Sequence, residues 1–244
     1  MLALASLGLE EGVWLRAERQ SAGRGREGRE WVSPAGNLHA STLVRVRPGD
    51  PAAPGLALVA GVAVAETLAT LPFRFADQPN TIERSIDGAS SPDRIAPSRG
   101  GVALKWPNDV LLAGAKVAGI LLERAGDAVV IGVGVNVAHH PDALERSATS
   151  LAAHGVSIAP DALLRALGPT LAHHVGLWRT TGIDAVRERW LAFAHPVGTP
   201  LAARLPDGSS LHGRFAGLSS DGALRLGLAG DIERVIHAGD VFAV

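Results

Sequence analysis

The segment over residues 56–71 constrains the fold most, because it is apolar around nearly its whole circumference. A helix of this kind has no polar face to turn toward water and has to be buried by other elements. Its longest apolar run, residues 56–65, is closed by Glu66. A membrane-spanning helix needs roughly 20 apolar residues, so we expect no membrane span. The sequence therefore predicts a globular chain whose other elements surround this helix.

Short strands come before and after this helix. Alternating apolar residues predict strands over 12–17 and 38–46, and then a meander with glycine-containing turns over 102–105, 110–112, 116–124 and 129–137. Between the helix and the meander, residues 76–101 are rich in Pro, Ser, Asp and Gly, which is typical of a long surface loop or insertion. The order of these elements indicates a mixed α+β domain.

Two helices and a small β domain complete the chain. Apolar spacing predicts a helix over 163–178 that starts near Pro160, with Pro169 a candidate for a break or kink, and a second helix over 183–193. From Thr199 the pattern changes to short strands and tight turns, typical of a small antiparallel barrel of about 45 residues. We place the boundary at His195-Pro196, which gives two domains, 1–195 and 196–244.

Charge and cysteine content exclude several classes of protein. The formal net charge is −1 and the pI about 6.8, whereas broad binding to a phosphate backbone needs a basic surface. There is no cysteine, so disulfides and thiol chemistry are excluded, which fits a reducing compartment. The N-terminus lacks the basic region of a signal peptide. We expect a cytoplasmic protein that binds neither nucleic acid nor membrane.

Lysine is nearly absent, although basic residues are common. The chain has 23 basic residues, and its only lysines are Lys105 and Lys116. Arginine fills the general solvating role, so a surviving ammonium suggests a site that needs a compact point charge rather than a planar fork. The alternative is that two lysines fall close together by chance.

A loop over residues 18–30, which we call the flap, combines three glycines with four arginines and has almost no hydrophobic residue. Glycines let the backbone approach a ligand closely, and arginines supply forked donors for phosphate or carboxylate. No Gly-Lys-Ser/Thr follows, so the flap is not a Walker loop, and no helix pattern follows, so it is not a Rossmann fingerprint. It is predicted to be a flexible anion-binding loop. The alternatives are a solvated loop or an RGG-type RNA-binding tract.

Two lysine-containing segments come next. KWPNDV, residues 105–110, offers Lys105, Asn108 and Asp109 at a strand end, which suits a nucleotide with its magnesium, although a plain Pro-Asn-Asp turn with a surface salt bridge would look the same. In GAKVAGILLE, residues 114–123, Lys116 opens a buried strand and could stabilise charge on a phosphate. The alternative there is an edge lysine.

The strand VIGVGVNVA, residues 130–138, alternates glycine with valine. Gly132 and Gly134 should leave one face without side chains, where a flat ring could lie. Asn136 on the same face offers a donor and an acceptor to an adenine edge. A glycine-rich strand packed against another backbone is the alternative. The adjacent histidine pairs at 139–140 and 173–174 match no zinc spacing, so no metal site is predicted there.

Together, these four segments resemble the biotin–protein ligase family. GRGRxGRxW, KWPND, KxxGILxE and GxGxN occur in that family's order and near its spacing, within residues 12–138. The resemblance implies a catalytic domain like that of class II aminoacyl-tRNA synthetases and an SH3-like C-terminal domain. It also implies two reactions. Biotin and ATP form biotinyl-5′-AMP with Mg²⁺ assistance, and biotin then passes to a lysine of a biotin carboxyl carrier protein, as in acetyl-CoA carboxylase.

The resemblance also implies roles for individual residues. The biotin site would be built from Gln20, Gly23, Arg24, Gly25, Arg26 and Lys116. The ATP site would be built from Trp31, Lys105, Asn108, Asp109 and Asn136, with Asp109 near the magnesium. Lys116 would be the main catalytic group, assisted by Arg26 and Lys105. The flap would order over the adenylate and exclude water.

Two departures from the family pattern matter. An Asp-Ser-Thr-Asn segment that usually helps to line the biotin pocket is missing near Met1, and no helix-turn-helix precedes the catalytic domain. We therefore expect a monofunctional ligase, a monomer or a homodimer, without DNA binding. Three other interpretations stay open: a lipoate–protein ligase, a nucleic-acid-binding module acting through the flap, and a non-catalytic ligand sensor.

Overall fold

The computed structural model describes residues 1–74, 101–141 and 147–243. The predicted insertion over 76–101 lies, except for Gly101, outside these residues. The described part contains four α-helices and eleven strands. The helices are α1 Leu2–Ser6, α2 Leu56–Ala69, α3 Pro160–Thr181 and α4 Ile183–Leu191. The strands are β1 Leu15–Ala17, β2 Leu38–Arg45, β3 Val102–Lys105, β4 Asp109–Leu112, β5 Ala115–Ala125, β6 Ala128–Val135, β7 Pro200–Arg204, β8 Ser210–Leu218, β9 Leu224–Gly227, β10 Glu233–Ile236 and β11 Asp240–Ala243.

The larger sheet has the order β1-β2-β6-β5-β4-β3 and is antiparallel throughout. The predicted meander is confirmed, because β3, β4, β5 and β6 are neighbours in sequence order. The last strand ends at Val135, earlier than predicted. Beyond it, the backbone of Asn136 bonds to Val117 on one side and to Leu151 on the other, so the chain leaves the ladder and joins a loop that crosses the sheet end.

The apolar helix α2 is buried, as predicted. It contacts α3 and α4 on one side and strands β3 to β6 on the other. Leu56, Val59, Val62 and Ala65 have no exposed surface. Glu66, at its polar end, accepts a bond from His174 of α3 at 2.8 Å and pairs with Arg189 of α4. This helix is therefore the centre of the fold, between the sheet and the two later helices.

Helix α3 runs continuously through Pro169, so the proline does not break it. Its buried face contains Leu163, Leu167, Leu171 and Trp178, as the spacing predicted. The short α1 was not predicted, because five residues are too few for a periodicity. Its Ala5 packs against a small cluster on β2 and β6. Within the described residues, no helix is both long and apolar enough to cross a membrane.

The C-terminal strands form a second antiparallel sheet in the order β10-β9-β8-β7-β11. It is not an isolated appendix, because its buried residues belong to the same hydrophobic cluster as the larger sheet and α2. Trp106 donates from Nε1 to the carbonyl of Gly222 at 3.2 Å, and a Cβ on Gly222 would lie 2.8 Å from Leu58. This packing brings β11 to the end of the larger sheet where β3 and β4 meet.

Candidate functional site

A cavity of about 870 Å³ lies between the larger sheet, the flap and the C-terminal sheet. All four of the segments singled out in the sequence contribute to it. The predicted residues that line it are Gln20, Arg24, Gly25, Arg26, Trp31, Asn108, Asp109, Lys116 and Asn136. Two predicted residues, Gly23 and Lys105, do not line it. The sequence motifs therefore converge on one cavity.

The flap forms a small hairpin, where its composition predicted a loop. Gly25 donates its backbone N–H to the carbonyl of Arg29 at 2.7 Å, and Trp31 donates to Gly23 at 3.0 Å. A Cβ on Gly23 would lie 2.2 Å from the carbonyl oxygen of Trp31, so only glycine fits there. Gly23 thus forms the base of the hairpin, from which the arginines of the flap extend.

The indole of Trp31 lies flat on a cross-strand pair of glycines. Gly119 on β5 is directly opposite Gly134 on β6, and a Cβ added to them would lie 3.0 Å and 2.6 Å from the Trp31 ring. We expected this glycine face to be open for a ligand ring, and at Gly134 that expectation is wrong, because the protein's own indole covers it. At Gly132 a Cβ would have its nearest neighbour 3.6 Å away. The indole provides a fixed flat wall next to that position.

The two lysines meet at one buried carboxylate. The Nζ atom of Lys116 lies 2.5 Å from Oδ1 of Asp109, and Nζ of Lys105 lies 3.7 Å from its Oδ2. The Asp109 side chain is 6% exposed, so this is not the surface salt bridge considered as an alternative. Of the two ammonium groups, that of Lys116 lines the cavity, and a cation there favours an anion at the cavity wall.

Lys116 is the ammonium that reaches the cavity itself. It is a quarter exposed, and its Nζ lies 5.5 Å from the centre of the Trp31 ring. Lys105 is less exposed, and its Nζ lies 5.5 Å from the centre of the Phe242 ring on β11. The geometry therefore gives the two lysines different positions: Lys116 faces the cavity and Lys105 supports Asp109 from behind.

Asn108 connects the meander to the flap. Its Nδ2 donates to the carbonyl of Ile120 at 2.7 Å, which fixes the amide, and its Oδ1 accepts from Nη1 of Arg26 at 3.4 Å. The same Nη1 donates to the carbonyl of Gly239 at 3.3 Å and lies 3.7 Å from Asp240. Arg26 is thus held at the cavity edge by residues from both sheets.

Asn136 is buried at the end of β6. Its Nδ2 donates to the carbonyl of Thr149 at 3.0 Å, so part of its amide is committed within the protein. The loop that contains Thr149 is bonded in turn to the backbone of Lys116. Asn136 and Lys116 are therefore positioned by the same segment, which fixes their separation across the cavity.

The cavity residues that sequence reasoning missed include His39, Arg204 and Asp240, and it left Glu123 open. His39 on β2 reads as a core residue, but it lines the cavity, with Nε2 3.1 Å from the carbonyl of Pro34. Burial lowers the pKa of His39, so its imidazole is neutral near pH 7. Arg204 and Asp240 come from the C-terminal sheet, and no local pattern links them to the flap. Glu123 lines the cavity and lies 3.6 Å from Arg24.

Comparison with known proteins gives the family. A sequence profile described as "Biotin/lipoate A/B protein ligase family" matches residues 4–136, and one described as "Biotin protein ligase C terminal domain" matches residues 199–244. A Biotin--[acetyl-CoA-carboxylase] ligase of Paracoccus denitrificans is 39% identical over 96% of this chain and 92% of its own length. One of Mycobacterium tuberculosis is 36% identical, over 99% of this chain and 83% of its own length.

A solved structure shows the same fold. The biotin protein ligase from Aquifex aeolicus, in complex with biotin and ATP, has a TM-score of 0.76 at 23% identity, covering 97% of this chain and 91% of that chain. This likeness confirms the expected α+β catalytic fold with a small C-terminal β domain. A profile match over more than half of the sequence, and identities of 39% and 36% along nearly all of it, show that this chain belongs to the biotin/lipoate A/B protein ligase family.

Proposed function

We propose that this chain is an ATP-dependent biotin–protein ligase. It forms biotinyl-5′-AMP from biotin and ATP, and then transfers biotin to a specific lysine of a biotin carboxyl carrier protein. The observation that carries the proposal is the convergence of the flap, the Lys116–Asp109–Lys105 cluster and the glycine-backed Trp31 on one cavity. The two curated relatives above bear the name of this activity, and the Aquifex protein binds biotin and ATP.

In the first step, a carboxylate oxygen of biotin attacks the α-phosphorus of ATP and pyrophosphate leaves. Negative charge develops on the phosphate oxygens, and a fixed donor aimed at that charge lowers the barrier. Lys116 supplies such a donor at the cavity wall, already oriented by Asp109. Arg26 lies across the cavity edge with its Nη1 anchored, and it holds the junction between phosphate and carboxylate.

The nucleotide end is proposed to lie near Trp31 and Asn136. Trp31 presents a flat apolar wall, on which an adenine ring can stack, and Asn136 is fixed at the end of the neighbouring strand. Asn108 and Asp109 support this end by holding Arg26 and Lys116 in place. Lys105 acts on the phosphates through Asp109, rather than by direct contact.

The biotin end is proposed to lie at the base of the flap. Gln20 lines the cavity there, with its Oε1 held by the hydroxyl of Ser33 at 2.7 Å. The Gly23-Arg24-Gly25 backbone forms the adjoining arm of the hairpin. When the flap covers the adenylate, it excludes the water that would hydrolyse an acyl phosphate. In the second step, the flap must yield enough to admit the carrier lysine, which attacks the acyl carbon and releases AMP.

We propose that magnesium has no site of its own among the side chains that the structure describes. Both Asp109 oxygens lie within 3.7 Å of an ammonium, which disfavours a divalent cation there. In residues 1–74, 101–141 and 147–243, no three His, Cys, Asp or Glu side chains are grouped to hold a metal. Magnesium commonly binds through substrate phosphates and water. We propose that any Mg²⁺ enters with ATP, so the predicted role of Asp109 as its ligand is not retained.

Pyrophosphate release tests the first step. Purified protein is incubated with ATP and either biotin or lipoate, and pyrophosphate is measured over time. We expect biotin-dependent release and little release with lipoate. Labelled biotin should then appear on a purified carrier domain, and not on the same domain with its acceptor lysine changed to arginine. Release with lipoate alone would instead support the lipoate ligase, and release with neither acid would reject an acyl-adenylating enzyme.

A further inference from the structure

Three arginines of the flap contact residues of both sheets, and two of them share one carboxylate. Arg24 lies 3.6 Å from Glu123 on β5, which ties the flap to the larger sheet. Arg29 lies 3.0 Å from Oδ2 of Asp240, which ties the flap to the C-terminal sheet. Arg26 lies between them, and its contacts with Asn108, Gly239 and Asp240 all run through Nη1. The flap is thus fastened on two sides of the arginine that faces the cavity.

Asp240 is held firmly on its own side. It is the first residue of β11, is directly opposite Arg204 on β7, and its side chain is only 12% exposed. The turn before it is tight, because Gly239 has a φ of 149° and a Cβ there would lie 2.5 Å from the carbonyl oxygen of Arg204. The carboxylate therefore has a fixed position, whereas its partner Arg29 is 46% exposed.

The same strand also contacts the lysine cluster. Residues two apart on a strand point to the same face, so Phe242 lies on the side of Asp240. The Phe242 ring lies near two cations, with Nζ of Lys105 5.5 Å and the Arg204 guanidinium 5.2 Å from its centre. One face of β11 therefore contacts the flap and the residue that supports Asp109.

We propose that Asp240 is a positioning residue of the adenylation site, and that the Arg29–Asp240 pair is a strap by which the C-terminal sheet keeps the flap over the cavity. The inference rests on the proposed function for the ligand that the flap covers. The C-terminal sheet is then part of the adenylate site.

Limited trypsin digestion without ligands tests the strap directly. Asp240→Asn keeps the size of the side chain and removes its charge. We expect cleavage after Arg26 and Arg29 to be about fivefold faster than in the wild type, the size that a half-exposed ion pair can contribute. Glu233→Gln is the matched control, because it breaks an exposed ion pair with Arg225 in the same sheet, and it should leave flap cleavage unchanged.

Arg29→Gln removes the other partner of the ion pair. Arg29 is half-exposed, so this substitution is not expected to cause misfolding. Because trypsin no longer cleaves at position 29, the measurement is the rate of cleavage after Arg26. If both variants are cut at the wild-type rate, the proposal is overturned. This outcome needs no enzymatic activity, so it is separate from any failure of the proposed function.

Adenylate retention gives the second measurement. Biotinyl-5′-AMP should dissociate about fivefold faster from Asp240→Asn and from Arg29→Gln than from the wild type. The double variant should release it at the same rate as either single variant, because both substitutions remove the same interaction. Asp240→Glu should restore much of the retention. Additive effects of the two substitutions would show that the residues act separately and would reject the strap. If the wild type forms no adenylate, the proposed function fails, while the trypsin result still decides the strap.

Discussion

The ammonium of Lys116 lies 2.5 Å from the carboxylate of Asp109, which is almost fully buried and is also approached by Lys105. A buried carboxylate with one partner removed would leave an uncompensated charge, which is strongly destabilising. Because two lysines contact Asp109, Lys105 can compensate the buried carboxylate while the ammonium of Lys116 lines the cavity. The near absence of lysine elsewhere is consistent with this use of a compact cation where a guanidinium fork would not fit.

Replacing Lys116 with alanine should abolish most adenylation. We expect the rate of biotin-dependent pyrophosphate release to fall about 100-fold or more, because the donor to the developing charge is lost. The fold should persist, since Lys105 still pairs with Asp109, and thermal melting would check this. Lys116→Arg should be impaired too, because a planar fork cannot replace the point charge. Near-normal pyrophosphate release from folded Lys116→Ala would contradict the assigned role.

Arg26→Gly should weaken retention of the adenylate more than binding of ATP. Arg26 lies at the cavity edge, and its proposed role is to hold the phosphate–carboxylate junction, which exists only after the acid and the nucleotide are joined. Dissociation of labelled biotinyl-5′-AMP is expected to be about 10-fold faster, as for loss of a charge-assisted bond. Arg19→Gly, at an exposed arginine of the same flap, is the matched control. An unchanged dissociation rate for Arg26→Gly would refute this role.

Gly134→Ala should displace Trp31, because the new methyl group would lie 2.6 Å from the indole. Overpacking of this kind typically costs about 1–3 kcal/mol, so we expect a lower melting temperature and a raised KM for ATP. Gly132→Ala, two residues earlier on the same face, adds a methyl whose nearest neighbour is 3.6 Å away. It should disturb the protein less. Equal effects of the two substitutions would argue against the Trp31 wall.

His195 should make the protein sensitive to mild acid. Burial, and then the nearby charge of Lys105, lower the pKa of His195 to about 4 from 6.5. The unfolded chain therefore takes up a proton at a pH where the folded chain does not. The contribution of His195 to the free energy of unfolding is fully present above pH 6.5. It is lost as the pH falls toward 4, and the total loss is about 3 kcal/mol. The free energy of unfolding, measured by urea denaturation across this pH range, should depend less steeply on pH for His195→Met than for the wild type. The same pH dependence in both proteins would show that His195 is not the group responsible.

Local pattern was enough to predict the elements that surround the site. The all-apolar segment had to be the central helix, and alternation placed the meander in the correct order, because these properties depend on neighbours a few residues apart. Composition misled at two places. Its composition predicted that the flap is a loop, but it is a hairpin whose arms are joined by hydrogen bonds to the carbonyls of Gly23 and Arg29. The strand face without side chains at Gly134 is covered by Trp31.

The sequence alone determined which chemical groups this protein has for an anionic acyl phosphate: the four arginines of the flap, the two lysines and a glycine-rich strand. Only the tertiary structure decided how they pair. That Asp109 binds both lysines follows from the register of β3, β4 and β5, and that Asp240 holds Arg29 follows from the packing of a second sheet on the first. Contacts between residues that lie about 200 positions apart produce no periodic pattern in the sequence, because they depend on how two folded surfaces pack together.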